Sequence, residues 1–135
     1  MLLFLLFFPS FFEPELRVEF SNIREAKGSL YVAVYDRSED FLKDNRIRSK
    51  KVLPVGQTGS LKISLGNLPY GKYAISCFHD LNGNGKLDTN WAGIPSEPYG
   101  FSNNARPKFR APKWAEAVFE LSGSGGTIGV RLEEW

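Results

Sequence analysis

The side chains best suited to chemistry lie in one segment, from His79 to Asp88. Counted from Asp80, oxygen-bearing side chains occupy positions 1, 3, 5 and 9, and a glycine occupies position 6. These residues are Asp80, Asn82, Asn84 and Asp88, with Gly85 at the sixth position. The spacing matches the first nine positions of an EF-hand calcium loop, in which alternate residues direct hard oxygen ligands at one ion and the glycine permits the sharp turn. The sequence therefore predicts a Ca²⁺ site, to which Lys86 would contribute its backbone carbonyl.

The segment departs from an EF-hand in its remaining positions. Position 12, an acid in the EF-hand, is Trp91 here, and Glu97 is the nearest acid that could complete the ligand set. With formal charges from Asp80 and Asp88 alone, the expected affinity is weak, with a dissociation constant of about 10⁻⁴–10⁻³ M. The alternative is a metal-free turn, because Asn and Gly tolerate left-handed backbone and Asp and Asn cap their own backbone.

His79 is the single histidine of the chain. Its expected role is structural, as a hydrogen-bond donor to a loop carbonyl or carboxylate. A hydrolase that uses His79 with Asp80 or Glu97, and Ser96 or Ser102 as nucleophile, is the enzymatic alternative. Because the chain has no G-x-S-x-G elbow, we expect no enzymatic activity.

The segment 89–114, which follows this loop, is rich in aromatic residues, Gly, Pro and Asn. A long segment without secondary structure is uncommon in a compact domain unless it is functional or anchored. Its aromatic residues either anchor it on the domain or form an exposed binding platform. The candidate binding residues are Trp91, Tyr99, Phe101, Asn103, Asn104 and Trp114. Nearby basic residues suit an anionic glycan or head group, although such charges are more often a solvated face.

Length and composition limit the classes of protein that this chain can be. It has 135 residues, 42% hydrophobic residues and a formal net charge of +2, which fits one globular domain rather than a disordered chain. A charge this near zero does not predict a nucleic-acid partner. The single cysteine, Cys77, excludes an intramolecular disulfide.

The first twelve residues form a separate segment. Residues 1–12 hold no charged residue and five of the eleven Phe. The apolar run is too short to cross a membrane and has the length of the hydrophobic region of a signal peptide, although no basic residue precedes it. We therefore expect a secreted or periplasmic protein, with a mature domain over 13–135 and no membrane span. The alternative is a buried first strand.

Hydropathy alternates with a period of two along most of the chain, which is typical of strands. The pattern predicts strands around Leu16–Ser21, Ser29–Asp36, Lys50–Val55, Leu61–Leu65, Tyr73–Phe78, Trp114–Leu121 and Thr127–Leu132, and a short helix in Ser38–Lys43. About seven short strands without a βαβ rhythm favour an all-β fold, an antiparallel β-sandwich of the immunoglobulin-like or transthyretin-like kind.

The long central motif resembles that of the domain-of-unknown-function 2141 family. The residues that carry the resemblance are His79, Asp80, Asn82, Asn84, Gly85, Lys86, Asp88, Asn90, Gly93, Pro95, Glu97, Gly100, Phe101, Ser102, Asn103 and Asn104. The upstream Leu68–Ala74 turn also fits and additionally resembles transthyretin-like modules. The resemblance implies a secreted bacterial β-sandwich and no established activity.

Together these observations predict an exported, non-enzymatic binding or accessory module. A calcium loop over 79–88 would brace the aromatic loop 89–114, which would face a glycan or an envelope protein. The alternatives are a metal-free structural envelope protein and, less favoured, the hydrolase that uses His79.

Overall fold

The computed structural model describes residues 13–123 and 125–135. The segment 1–12, with its predicted signal peptide, lies outside the described residues. Eight strands and one α-helix are present in the described part of the chain. They are β1 (Glu15–Ile23), β2 (Ser29–Tyr35), β3 (Ser49–Pro54), β4 (Gly59–Asn67), β5 (Gly71–Asp80), β6 (Tyr99–Phe101), α1 (Trp114–Ala117), β7 (Phe119–Leu121) and β8 (Gly126–Arg131).

The strands form two sheets. One has the order β4-β1-β8, and the other has the order β3-β2-β5-β6, with β7 added against the start of β5. All pairs are antiparallel except β1 with β8, which are parallel. Parallel neighbours need a long crossover connection. Here β1 and β8 are the first and last strands, and the strands of the other sheet lie between them in the chain. The predicted all-β sandwich is confirmed.

The core lies between the two sheets. Leu16, Val18 and Phe20 alternate along β1 and are fully buried, and Leu30 and Val32 of β2 are buried with them. Burying such side chains stabilises the fold by roughly 1.5–3 kcal/mol each. The strands predicted to be interior, β2 and β5, are the two central strands of the larger sheet.

Three local predictions differ from the structure. The segment 114–121 begins as helix α1, because Glu116 accepts a hydrogen bond from the Lys113 N–H and caps the first turn, so only β7 is extended. The helix predicted over 38–43 is a single 3₁₀ turn, Ser38–Asp40. Strand β6 lies in the segment predicted to be a loop. Its pairing with β5 joins residues far apart in the sequence, so the local sequence pattern did not indicate a strand. Within the described residues, none of the helices has the length and apolar character needed to span a membrane.

Candidate functional site

Asp80, the last residue of β5, organises the loop that follows it. Its side chain is buried, and its two carboxylate oxygens accept the backbone N–H groups of Gly83 at 3.1 Å and Gly85 at 2.8 Å. A carboxylate that accepts two backbone hydrogen bonds closes the loop on itself. The residue predicted as the first calcium ligand therefore also fixes the turn at Gly85.

Three further predicted ligand side chains meet in this loop. The Nδ2 groups of Asn82 and Asn84 donate to the two oxygens of Asp88, each at 2.6 Å. The Oδ1 atoms of the same asparagines accept the N–H groups of Asn84 and Lys86. The hydrogen bonds from Asn84 and then Asn82 hold the pKa of Asp88 below its ordinary value. The structure thus brings Asn82, Asn84 and Asp88 together.

Glu97 joins the loop to the segment after it. Its side chain is buried, and its oxygens accept the backbone N–H groups of Leu81 at 2.6 Å and Asp88 at 3.0 Å. Ser96 adds a backbone hydrogen bond to the Asp88 carbonyl at 2.8 Å. The sequence predicted Glu97 as a distant metal ligand. In the structure both of its carboxylate oxygens accept backbone N–H groups, one at each end of the 80–88 loop.

The oxygen donors of this loop suit a hard cation such as Ca²⁺, because they are carboxylates, side-chain amides and backbone carbonyls. Asn82 and Asn84 direct nitrogen, not oxygen, at Asp88, so a cation there requires both amides to rotate. The rotation removes the two hydrogen bonds that their Oδ1 atoms accept. Within residues 13–123 and 125–135, His, Cys, Asp and Glu alone form no group of three that could hold a metal.

Of the residues proposed for hydrolysis, His79 and Ser102 are buried and engaged in hydrogen bonds, whereas Ser96 is exposed and donates its Oγ–H to the Asp88 carbonyl at 3.1 Å. His79 is 1% exposed, and its Nε2 lies 2.7 Å from the Lys27 carbonyl. Ser102 is fully buried, donates its Oγ–H to the Ala117 carbonyl and accepts the Ile75 N–H. These contacts join neighbouring segments of the chain and leave neither side chain open to a substrate.

A cleft of about 1110 Å³ lies on the face of the larger sheet opposite the core. Side chains alternate along a strand, so the residues between the core positions of β2, β5 and β6 form its floor. Its walls come from the loops 42–48, 85–95 and 106–112 and from Trp135. The floor residues are Tyr31, Ala33, Tyr35, Ser76, Phe78, Tyr99 and Phe101.

A row of three aromatic rings crosses this floor. Tyr31 and Phe78 pair across β2 and β5 and stack with ring centroids 5.0 Å apart, and Phe78 pairs in turn with Tyr99 of β6. A cation lies over each end of the row. Lys50 Nζ is 5.5 Å from the Tyr31 ring centroid, and the Arg106 guanidinium is 4.0 Å from the Tyr99 centroid.

Half of the predicted binding residues are aromatic side chains on or near this cleft. Tyr99 and Phe101 line it and contact each other edge to face, with centroids 5.9 Å apart. Trp91 belongs to the wall loop 85–95, but its side chain is 98% exposed and does not line the cleft. The structure therefore places Tyr99 and Phe101 in one concave surface and Trp91 outside it.

The other predicted binding residues contact the protein itself. The Asn103 amide donates to the Val118 carbonyl at 2.8 Å, and Asn104 Oδ1 accepts the Arg131 N–H at 3.0 Å. Trp114, the first residue of α1, packs edge to face on Phe41. These contacts position α1 and β8 against the segment 102–104.

Sequence reasoning about the long loop missed Tyr31 and Phe78, which lie in strands β2 and β5. The available signal was that β2 and β5 are apolar on both faces. Such strands need a second cover besides the core, or they form an apolar surface. Here the second face is the cleft floor.

The segment that contains the loop and the cleft also matches a known protein family. Residues 18–128 match the family described as "Uncharacterized protein conserved in bacteria (DUF2141)". The chain belongs to this family. The matched part of this DUF2141 member runs from β1 to β8 and includes the 80–88 loop and the cleft floor. No curated protein and no solved structure shows a significant match to the chain. The family description carries no activity, so function is argued from the site.

Proposed function

We propose that this DUF2141 protein is an exported, non-enzymatic binding module that holds its ligand in the cleft on the larger sheet. The observation that carries the proposal is the cleft itself, about 1110 Å³ in volume and floored by aromatic side chains. Small-molecule sites are typically concave, largely apolar and of about 300–1,000 Å³. A purely structural envelope protein gives no reason for a concave aromatic surface of this size.

We propose further that the 80–88 loop binds Ca²⁺ and thereby fixes one wall of the cleft. Gly85, Lys86 and Leu87 belong to this loop and also line the cleft. The spacing of Asp80, Asn82, Asn84 and Asp88, with Lys86 offering its carbonyl, supports this assignment. Glu97 supports the loop through backbone N–H groups.

The absence of catalysis is part of the same proposal. It is supported by the burial of His79 and Ser102 and by their hydrogen bonds to backbone groups. An acyl-transfer nucleophile has to reach a substrate and lie within hydrogen-bond distance of its base. Export is supported by the charge-free apolar run in residues 1–12, which suits a signal peptide.

Calorimetric titration with CaCl₂ tests the metal part of the proposal. We expect a dissociation constant of about 10⁻⁴–10⁻³ M for the wild-type protein. Asn84→Asp adds a carboxylate and should tighten binding, whereas Asp88→Asn should abolish it. Asp40→Asn, in the 3₁₀ turn outside the loop, is the matched control and should bind as wild type. Lack of saturable binding in both the wild type and Asn84→Asp would overturn the calcium assignment.

Nuclear magnetic resonance titration with chitotriose, tetra-alanine and sodium decanoate tests the binding module. At least one probe should shift the backbone amides of Tyr31, Phe78 and Tyr99 and leave those of the smaller sheet unchanged. Tyr31→Ala should weaken that binding, and Tyr70→Ala, an exposed tyrosine outside the cleft lining, should not. If no probe shifts the cleft amides, the binding proposal fails and the structural alternative is favoured.

A further inference from the structure

We infer that the ligand of the cleft is a small anionic amphiphile, a monomeric molecule with an apolar body and one acidic head group. This inference rests on the proposed function and names the chemistry of its ligand. The apolar body would lie along the aromatic row and the aliphatic walls of the cleft. The head group would bind at the Tyr31 hydroxyl, with Lys50 and Lys86.

The charge of the cleft is strongly unbalanced. Its lining contains one acidic side chain, that of Asp44, and five cationic side chains. The cationic residues are Arg48, Lys50, Lys86, Arg106 and Arg110. A concave surface with one sign of charge and apolar walls concentrates ligands of the opposite charge. The whole chain carries only +2, so basic side chains are more concentrated in the cleft lining than in the protein at large.

Two of these cations are available to a ligand. Arg48, Arg106 and Arg110 already form ion pairs, with Asp36, Glu133 and Glu116 respectively. Lys50 and Lys86 form none with any residue that the structure describes. A ligand carboxylate can therefore pair with either lysine without displacing a protein acid.

Lys50 lies close to Tyr31, and Lys86 is the chain neighbour of a residue beside it. Lys50 Nζ lies 5.5 Å from the Tyr31 ring centroid. Lys86 follows Gly85, whose added Cβ would lie 3.5 Å from the Tyr31 hydroxyl oxygen. In the described part of the chain that hydroxyl has no hydrogen-bond partner, so it remains a donor for an acidic oxygen.

The lining argues against a sugar as the ligand. Sugar hydroxyls both donate and accept hydrogen bonds, so a sugar site needs acceptors as well as donors. Among the described residues the cleft lining has no Asn or Gln and a single carboxylate, whereas Leu42, Ile47, Leu87 and Ile94 add aliphatic surface to the aromatic floor. An apolar body fits this surface and leaves few polar groups unpaired.

Calorimetric titration with two probes of the same chain length and opposite charge tests the inference. Sodium decanoate and decyltrimethylammonium bromide are compared below their micellar concentrations. We expect decanoate to bind at least about tenfold more tightly, the ratio that one ion pair of about 1.4 kcal/mol provides. The double variant Lys50→Gln/Lys86→Gln should remove this preference. Lys51→Gln/Lys62→Gln, two lysines outside the cleft lining, should retain it.

The outcomes separate this inference from the function on which it rests. Equal binding of the two probes, or an undiminished preference in Lys50→Gln/Lys86→Gln, would overturn the anionic ligand. Binding of chitotriose or tetra-alanine in the cleft, with no binding of decanoate, would also overturn the anionic ligand. The proposed binding module would remain supported in that case. Cosedimentation with phosphatidylglycerol vesicles, without binding of monomeric decanoate, would make this face a membrane surface and also overturn the inference. If no probe enters the cleft, the proposed function fails as well.

Discussion

The Tyr31 hydroxyl lies against Gly85, at the point where the 80–88 loop meets the floor of the cleft. A Cβ atom on Gly85 would lie 3.5 Å from the hydroxyl oxygen, which is ordinary van der Waals contact. Gly85 also donates its N–H to Asp80. The residue that permits the turn of the loop is therefore the residue that lies beside the Tyr31 end of the aromatic row.

Gly85→Ala should destabilise the protein through backbone strain alone. Gly85 has φ +75°, and an L-residue in this region is destabilised by about 1–2 kcal/mol. Gly28→Ala should be more destabilising, because Gly28 has a similar φ of +66° and its Cβ would lie 2.0 Å from the Asp80 carbonyl oxygen. Urea unfolding gives both free energies. Gly56→Ala, with open space around it, is the control, and equal effects of Gly28→Ala and Gly85→Ala would contradict this account.

Ser102→Ala should lower the free energy of unfolding by about 1–3 kcal/mol. The substitution leaves the buried Ile75 N–H without its acceptor and the Ala117 carbonyl without its donor. Thermal unfolding compared with Ser38→Ala, an exposed serine, measures the effect. A melting temperature unchanged from wild type would show that these two hydrogen bonds do not stabilise the fold.

Glu116→Gln should destabilise the protein near neutral pH and have progressively less effect in acid. Hydrogen bonds from Arg110 and from the Lys113 N–H lower the pKa of Glu116 from 4.5 to about 2. Because the folded pKa is the lower one, the ionised carboxylate stabilises the fold fully above the unfolded value of 4.5 and loses this effect as the pH falls towards 2. The melting temperatures of wild type and Glu116→Gln should therefore differ most above pH 4.5 and converge as the pH falls to about 2.

The control for this pH series is Glu120→Gln, since Glu120 forms no ion pair or side-chain hydrogen bond within the described residues. A constant difference between wild type and Glu116→Gln down to the acid limit would show that the ionised carboxylate is not the cause.

Arg106→Lys should be destabilising although it conserves the charge. The guanidinium donates to the backbone carbonyls of Tyr99, Glu133 and Glu134 and covers the Tyr99 ring. A lysine ammonium cannot match this planar set of donors, and we expect a loss of about 1–3 kcal/mol. Guanidinium chloride unfolding measures it, with Lys108→Arg, at an exposed position, as the control. Full stability of Arg106→Lys would mean that a point charge is sufficient there.

The sequence by itself determined the features that depend on neighbours in the chain. Alternation along Leu16–Ser21 and the two-sided apolar runs of β2 and β5 predicted strands, because side chains of a strand point to opposite faces in turn. The spacing from Asp80 to Asp88 likewise predicted a tight loop, and Asn82, Asn84 and Asp88 do meet, although the two asparagines present nitrogen and not oxygen to Asp88. These features depend on local backbone geometry, which is set by residues that are close together in the sequence.

Only the tertiary structure decided where the distant residues meet. Strand register aligns Tyr31, Phe78 and Tyr99 in one row. Lys50, which is registered with Ala33, and the loop residue Arg106 reach the two ends of this row through their side chains. Likewise, Glu97 binds the backbone N–H groups at both ends of the loop, which its spacing did not indicate. Sheet pairing brings residues far apart in sequence within contact distance, and each such pairing depends on burial in the whole fold, which a local pattern does not contain.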